Sequence, residues 1–154
     1  MESLQIMDRK IDKKITSYKV KDNSIKQEPI VETLTEREEV IFGQTTKIKP
    51  GNSDHAIYIT INFQVIDGIA RPFEIFINTK DIAHFQWILF MTRTISALFR
   101  LEKDISFLLE EMKQVFDPAG GYFYKAKKGE KSVYMPSLVA HIAIVLENTL
   151  KGKL

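Results

Sequence analysis

The residues best suited to chemistry in this sequence are three histidines, two arginines spaced seven apart, and a group of lysines among aromatics. His55, His84 and His141 lie far apart and match no metal-ligand spacing, so each reads as a surface or cap residue and no metal site is expected. Arg93 and Arg100 fall nearly in line on a mostly apolar helical stretch. Such charges need a counterpart, either an internal carboxylate or an anion or subunit contact. Lys125, Lys127, Lys128 and Lys131 stand near Tyr122, Phe123, Tyr124 and Tyr134, a mixture that can grip a polyanion by charge and stacking. A solvated lysine loop has the same composition. Gly120-Gly121 follows a helical stretch instead of opening one, so it forms no phosphate cradle. No nucleophile elbow is present, and no catalytic residue emerges.

The cysteine count is zero, which removes disulfides, thiolate metal sites, cysteine nucleophiles and thiyl radicals from these 154 residues. A length of 154 residues fits one domain with some appended chain. Hydrophobic content of 44% with 27% charge is that of an ordinary folded protein, which argues against wholesale disorder. A net charge of +2 is too small to argue for nucleic acid by itself. The greasy stretch from Ile82 to Leu101 approaches the length of a membrane span, but Arg93 and Arg100 interrupt it at roughly 2.5–3.5 kcal/mol each, so a buried helix is expected and no membrane partner. The N-terminus has no apolar stretch long enough for a signal peptide, and the cytoplasm is the expected compartment.

The elements that must position these residues begin after an arm. Residues 1–42 scatter Ile11, Ile15, Tyr18 and Val20 among lysines and then turn acidic around Glu36, Glu38 and Glu39, a composition that stays loose or orders against a partner. The compact part, 43–154, opens with a strand over "GQTTKIK" and a turn at "KPGNSD". From Ile57 to Asn78 the pattern has period two on both sides of Asp67-Gly68, which predicts a pair of strands. Placing all apolar residues on one side pairs Ile61 with Ile75, Ile59 with Ile77 and Phe63 with Phe73, and faces Val65 to the core as well. That register predicts a three- or five-residue loop with a glycine bulge. Pro72 should lie at an edge or a non-bonded position.

After Lys80 the period becomes helical. Asp81 is the expected N-cap of a helix over 82–101, apolar around most of its circumference and therefore central. A second helix after Asp104 would bury Ile105, Leu108, Leu109, Met112, Val115 and Phe116, and "DPAGG" ends it. Residues 122–134 read as a loop or basic hairpin. Pro136 opens a third helix, with Leu138, Val139, Ile142, Val145, Leu146 and Leu150 inward and Gly152 at its C-terminal cap. Strands followed by helices predict an α+β domain: a small antiparallel sheet of about three strands, one face covered by about three helices.

The phrases "SDHAIYITIN", "RPFEIFIN", "HFQWILFMTRTISALFR", "VFDPAGGYF" and "MPSLVAHI" resemble the TSCPD domain near the C-terminus of adenosylcobalamin-dependent (class II) ribonucleotide reductases, or the separate small protein that stands beside a large catalytic chain. "DRKIDKKITSYKV" and "REEVIFGQTTKIK" are similar to the segment leading into it. The resemblance implies deoxyribonucleotide synthesis by cobalamin homolysis, a cysteine thiyl radical and a further cysteine pair. Without cysteine this polypeptide performs none of those steps. The family's cysteine-rich tail does not follow the last helix before Leu154, so no redox-shuttle role is expected of these residues. The implied role is a non-catalytic accessory subunit or detached module. Its partner would be the large catalytic chain, which would hold the adenosylcobalamin, and no cofactor is expected on this chain.

In that reading the second face of the strand pair is the docking surface. Tyr58, Thr60 and Asn62 pair with Asn78, Phe76 and Glu74, a mixture of aromatics and hydrogen-bonding groups that suits a non-obligate interface and equally a solvated sheet face. The alternative function is a nucleic-acid or nucleotide-binding module using Arg93, Arg100 and the lysines of 125–131, marked by affinity that falls steeply with salt. A regulator that keeps the fold without a functional reductase is the third.

Overall fold

A computed structural model describes residues 35–51, 53–80, 83–101, 104–125 and 131–152. Residues 1–34 of the expected 1–42 arm, the Asp81 cap and the candidate anion ligands Lys127 and Lys128 lie outside the described residues.

The element order is β1 (Phe42–Ile48), β2 (Ile57–Ile66), β3 (Ile69–Thr79), α1 (Phe85–Arg100), α2 (Ser106–Gln114), β4 (Tyr122–Tyr124), β5 (Val133–Met135) and α3 (Leu138–Leu150). β1, β2 and β3 form one antiparallel sheet in that order, and β4 pairs with β5 in a small separate hairpin. This is the expected α+β architecture. Ile57, Ile59, Ile61 and Ile75 on one sheet face are buried against Ile95 and Phe99 of α1, Leu109 and Met112 of α2, and Ile142 and Leu146 of α3.

The strand pair differs from expectation in an instructive way. Ile59 faces Ile77 and Ile61 faces Ile75 as the alternation requires, yet the loop is the two-residue turn Asp67-Gly68, with Ile66 opposite Ile69. Both turn residues have positive φ, 52° and 77°, the mark of a type I′ turn whose twist matches that of the strands. The register is reconciled by a bulge: Asn62 pairs with Glu74 but Phe63 pairs with Pro72, which leaves Phe73 without an opposite number. Three consecutive residues, Phe73, Glu74 and Ile75, are consequently buried. Beyond the bulge the hairpin tip outruns the helices, so Val65, expected in the core, is 50% exposed and Ile69 is exposed as well. Pro72 sits beside the bulge on an edge strand, where no ladder bond is asked of it.

Helix α1 does not lie buried on all sides. It packs along β3, and Ser96 covers that strand's open edge: Ile75 N–H donates to Ser96 Oγ at 3.0 Å. Its outer side leaves Phe85, Leu89 and Phe90 exposed, with Phe90 at 71%. The first described residues of the turn into α1 place His84 at the N-cap position, without a side-chain cap bond. Helix α2 stops at Gln114, so Val115 and Phe116 are exposed where the apolar stripe predicted burial, whereas Ile105, Leu109 and Met112 are buried as expected. At the start of α3 the Ser137 hydroxyl accepts from Ala140 N–H at 3.0 Å and donates to Val115 O at 2.6 Å, which fastens the helix start to the end of α2. Gly152 closes the helix at φ 63°, its N–H donating to Thr149 O.

Candidate docking surface

The second face of the hairpin is divided in two. Tyr58, Thr60, Phe76 and Asn78 form an open half, with Tyr58 and Phe76 exposed and Thr60 half-buried. Thr60 Oγ1 lies 2.8 Å from Thr45 Oγ1 on β1, and Lys47 Nζ stands over the Tyr58 ring at 5.8 Å. The expected pairs Tyr58–Asn78 and Thr60–Phe76 are present. This half has aromatic area and hydrogen-bonding groups with little charge.

The other half is closed by this chain itself. Residues 36–38, expected in a loose arm, run across it. Gln64 is buried: its Nε2 donates to Glu36 O at 2.9 Å and its Oε1 accepts from Glu38 N–H at 3.2 Å. Glu74 is 3% exposed and is the centre of a polar cluster. Arg37 donates to it from Nε at 3.2 and 3.3 Å and from Nη2 at 3.1 Å, and Asn62 Nδ2 donates to it at 2.9 Å. Arg100 Nη2 adds a looser ion pair at 3.7 Å. Burial alone would raise the Glu74 carboxyl, but the Asn62 and Arg37 hydrogen bonds and the two guanidinium charges outweigh it and hold the group below its ordinary value. The cluster is possible because position 43 is glycine: a Cβ there would stand 2.0 Å from Asn62 Oδ1 and 3.0 Å from Ile61 O. Of the six candidates on this face, then, Asn62 and Glu74 are engaged internally and four face outward.

Along the β3 edge, α1 leaves a groove of about 410 Å³ lined by Glu74, Ile75, Phe76, Leu89, Thr92, Arg93, Ser96, Ala97 and Arg100. It brings together two sets of residues that the sequence kept apart, the helix arginines and the hairpin face. The arginines have separate fates. Arg100 is held by the fold yet still reaches the groove: it pairs loosely with Glu74 at 3.7 Å, stacks over Phe73 at 5.2 Å and has its Nε buried without a hydrogen-bond partner among the described residues, while its side chain remains 38% exposed. Arg93 is exposed, and its side chain has no ion pair or hydrogen bond among the described residues.

The small hairpin β4–β5 corresponds to the segment expected as loop or basic hairpin. Lys125 and Lys131 are exposed where the chain leaves β4 and approaches β5, and neither is among the residues that line the arginine groove. His141, expected at the surface, is instead 1% exposed. Its Nδ1 lies 2.9 Å from the Tyr122 hydroxyl, and the Tyr124 ring meets it edge-on at 4.2 Å. Burial lowers its pKa to about 4 and raises that of Tyr122. His55 and His84 do line one pocket, of about 300 Å³, together with Asp54, Asp117 and Tyr122. Among the described residues no group of three or more His, Asp or Glu is arranged to hold a metal ion. No described helix is long and apolar enough to cross a membrane.

Residue reasoning missed Arg37, Gln64 and Gly43. Gln64 had a readable signal, because the period of two sets it on the same face as Asn62, whereas the pairing that puts Gly43 beside Asn62 comes from the fold.

No curated protein and no solved structure matches the chain. The TSCPD domain, which is associated with ribonucleotide reductases, matches residues 18–150. That span covers the sheet, the three described helices and the β4–β5 hairpin, and the chain belongs to the TSCPD domain family.

Proposed function

We propose that this chain is a non-catalytic accessory subunit, or detached module, of an adenosylcobalamin-dependent ribonucleoside-diphosphate reductase, acting in deoxyribonucleotide synthesis in the cytoplasm. The observation that carries the reading is the TSCPD match over 18–150 in a polypeptide with zero cysteines. Thiyl-radical chemistry and dithiol reduction need sulfur, so both belong to another chain, the large catalytic subunit, together with the cobalamin. What these residues supply is a surface. The open half of the hairpin face, with Tyr58, Thr60, Phe76 and Asn78, has the aromatic and hydrogen-bonding composition of a non-obligate interface. It is backed by the core, since the isoleucines on the other face of the same two strands are buried under the helices.

Size-exclusion chromatography with the large reductase chain at micromolar concentration tests the reading, paired with turnover of that chain with and without this protein. Co-elution and a change in turnover are expected. Absence of both removes it.

A further inference from the structure

We propose that the groove between β3 and α1 binds an acidic, extended segment of the catalytic partner chain. The inference deepens the accessory-subunit reading and rests on it for the partner's identity, though not for the groove's chemistry.

Charge favours this occupant. The lining holds Arg93, Arg100 and the carboxylate of Glu74, but Glu74 is already answered by Arg37, so the groove presents net positive charge to whatever enters it. The Arg93 side chain has no internal partner among the described residues, and Arg100, beyond its loose 3.7 Å pair with Glu74, keeps 38% of its side chain exposed. Two solvated guanidiniums would need neither apolar walls nor this alignment. Here Leu89, Ala97 and the exposed Phe76 ring line the space between and beside them.

Shape selects an extended chain. Residues seven apart on a helix stand two turns apart, about 10.5 Å along its axis. That is too far for both arginines to clamp one carboxylate or phosphate, but it suits two anionic groups set along a line. Same-face residues of an extended chain recur about every 7 Å, and the arginine side chains span the remainder. Apolar residues alternating with those carboxylates would turn toward Leu89 and Phe76. Phe76 also belongs to the open hairpin face, so the groove is continuous with the surface already assigned to docking.

Two arms test this. In the first, a short capped fluorescein-labelled peptide of alternating Asp and Leu, and its uncharged Asn/Leu twin, are titrated by anisotropy at low and high salt. The acidic peptide should bind the wild type, weaken as salt rises, and lose about fivefold or more in affinity with Arg93→Ala, while Lys49→Ala, which removes the same charge elsewhere, leaves it unchanged. Equal affinity for the two peptides, no binding of either, indifference to Arg93→Ala, or displacement by ATP or a single-stranded oligonucleotide in preference to the acidic peptide overturns the groove assignment. In the second arm, the same variants are mixed with the large reductase chain. If the wild type fails to bind there while the acidic peptide still binds, the accessory-subunit reading falls and the groove chemistry stands. If the wild type binds and Arg93→Ala binds equally well, the groove is not the contact.

Discussion

Replacing Glu74 with glutamine removes one negative charge from a nearly closed site while keeping its volume. In the native protein that carboxylate accepts three bonds from Arg37 and one from Asn62, and faces Arg100 at 3.7 Å. Breaking a fully buried pair costs about 3–5 kcal/mol, because the surviving charge is stranded. Here the survivors are the arginines, whose side chains remain 43% and 38% exposed, so water recovers part of the loss. A cost of about 1.5–2.5 kcal/mol follows. With a urea m-value of roughly 1–3 kcal/mol/M, the denaturation midpoint should fall by about 1 M at unchanged m. Arg37→Ala should cost a similar amount, since it leaves Glu74 buried with only Asn62 and a distant Arg100. The double variant should cost clearly less than the sum, with a coupling on the order of 1 kcal/mol.

The pH dependence has a definite sign. The Glu74 carboxyl is held below its ordinary 4.5 in the folded protein, so its contribution is complete above that value and is lost as pH falls through the lowered folded pKa. The gap between wild type and Glu74→Gln should therefore narrow below pH 4.5 as the native carboxyl comes to resemble the amide. Strict additivity of the two single variants, or a gap that stays constant down to strong acid, would show that residues 36–38 are not fastened to the hairpin through this ion pair.

Three further outcomes are expected. His141 is buried and neutral, with its pKa lowered from 6.5 to about 4, so between those values the unfolded chain binds a proton that the folded one refuses. Stability should fall by about 3 kcal/mol as pH drops through that window, and an imidazole NMR titration placing His141 near its ordinary value would contradict this. Gly43→Ala puts a methyl group 2.0 Å from Asn62 Oδ1 and should displace that side chain from Glu74. Its cost, about 1–2 kcal/mol by urea denaturation, should be non-additive with Glu74→Gln, and a neutral substitution counts against the close approach. Ser96→Ala strands the Ile75 N–H at the β3 edge and should cost about 1–3 kcal/mol, with faster amide exchange at Ile75 as the local readout; unchanged exchange would mean that α1 does not protect that edge.

How far the molecule could be read from its sequence depended on how far each pattern runs. The alternation over Ile57–Ile61 and Ile75–Ile77 set the correct pairing, because a one-residue slip would turn every one of those isoleucines outward. The loop was misjudged for the same reason. A two-residue turn and an odd register are incompatible in a regular ladder, and a bulge is the irregularity that permits both. Helix α1 was misjudged because apolar circumference says how much surface wants covering and not what covers it. One side meets the core, one covers the edge of β3 through Ser96, and Phe85, Leu89 and Phe90 are left outward. The closed half of the hairpin face was illegible, since Arg37 lies among like-looking charged residues in "TEREEV" and only the fold sets it beside Glu74.

The bulge decides which part of the sheet is free to meet a partner. Phe73 is the extra residue of β3, inserted between the pairs Phe63–Pro72 and Asn62–Glu74; it lies buried beside Glu74 and becomes the platform on which Arg100 stacks. A carboxylate so enclosed must be answered by cations, and the nearest are Arg100 from α1 and Arg37 from the segment ahead of β1. Recruiting Arg37 draws residues 36–38 over Gln64 and closes that half of the face. The regular ladder on the other side of the bulge has no buried charge to satisfy, and Tyr58, Phe76 and Asn78 stay exposed there, with only the β1 side chains of Lys47 and Thr45 beside Tyr58 and Thr60 among the described residues. Deleting Phe73 to regularise the hairpin should therefore do more than remove a core ring. It would leave Glu74 opposite Asn62 and Phe63 opposite Pro72, but it would take away the ring on which Arg100 stacks and uncover the carboxylate that holds Arg37, so residues 36–38 would loosen and protease sensitivity around Arg37 would rise together with the loss of stability. A shortened hairpin that kept this segment protected would show that its position is set by something other than the bulge.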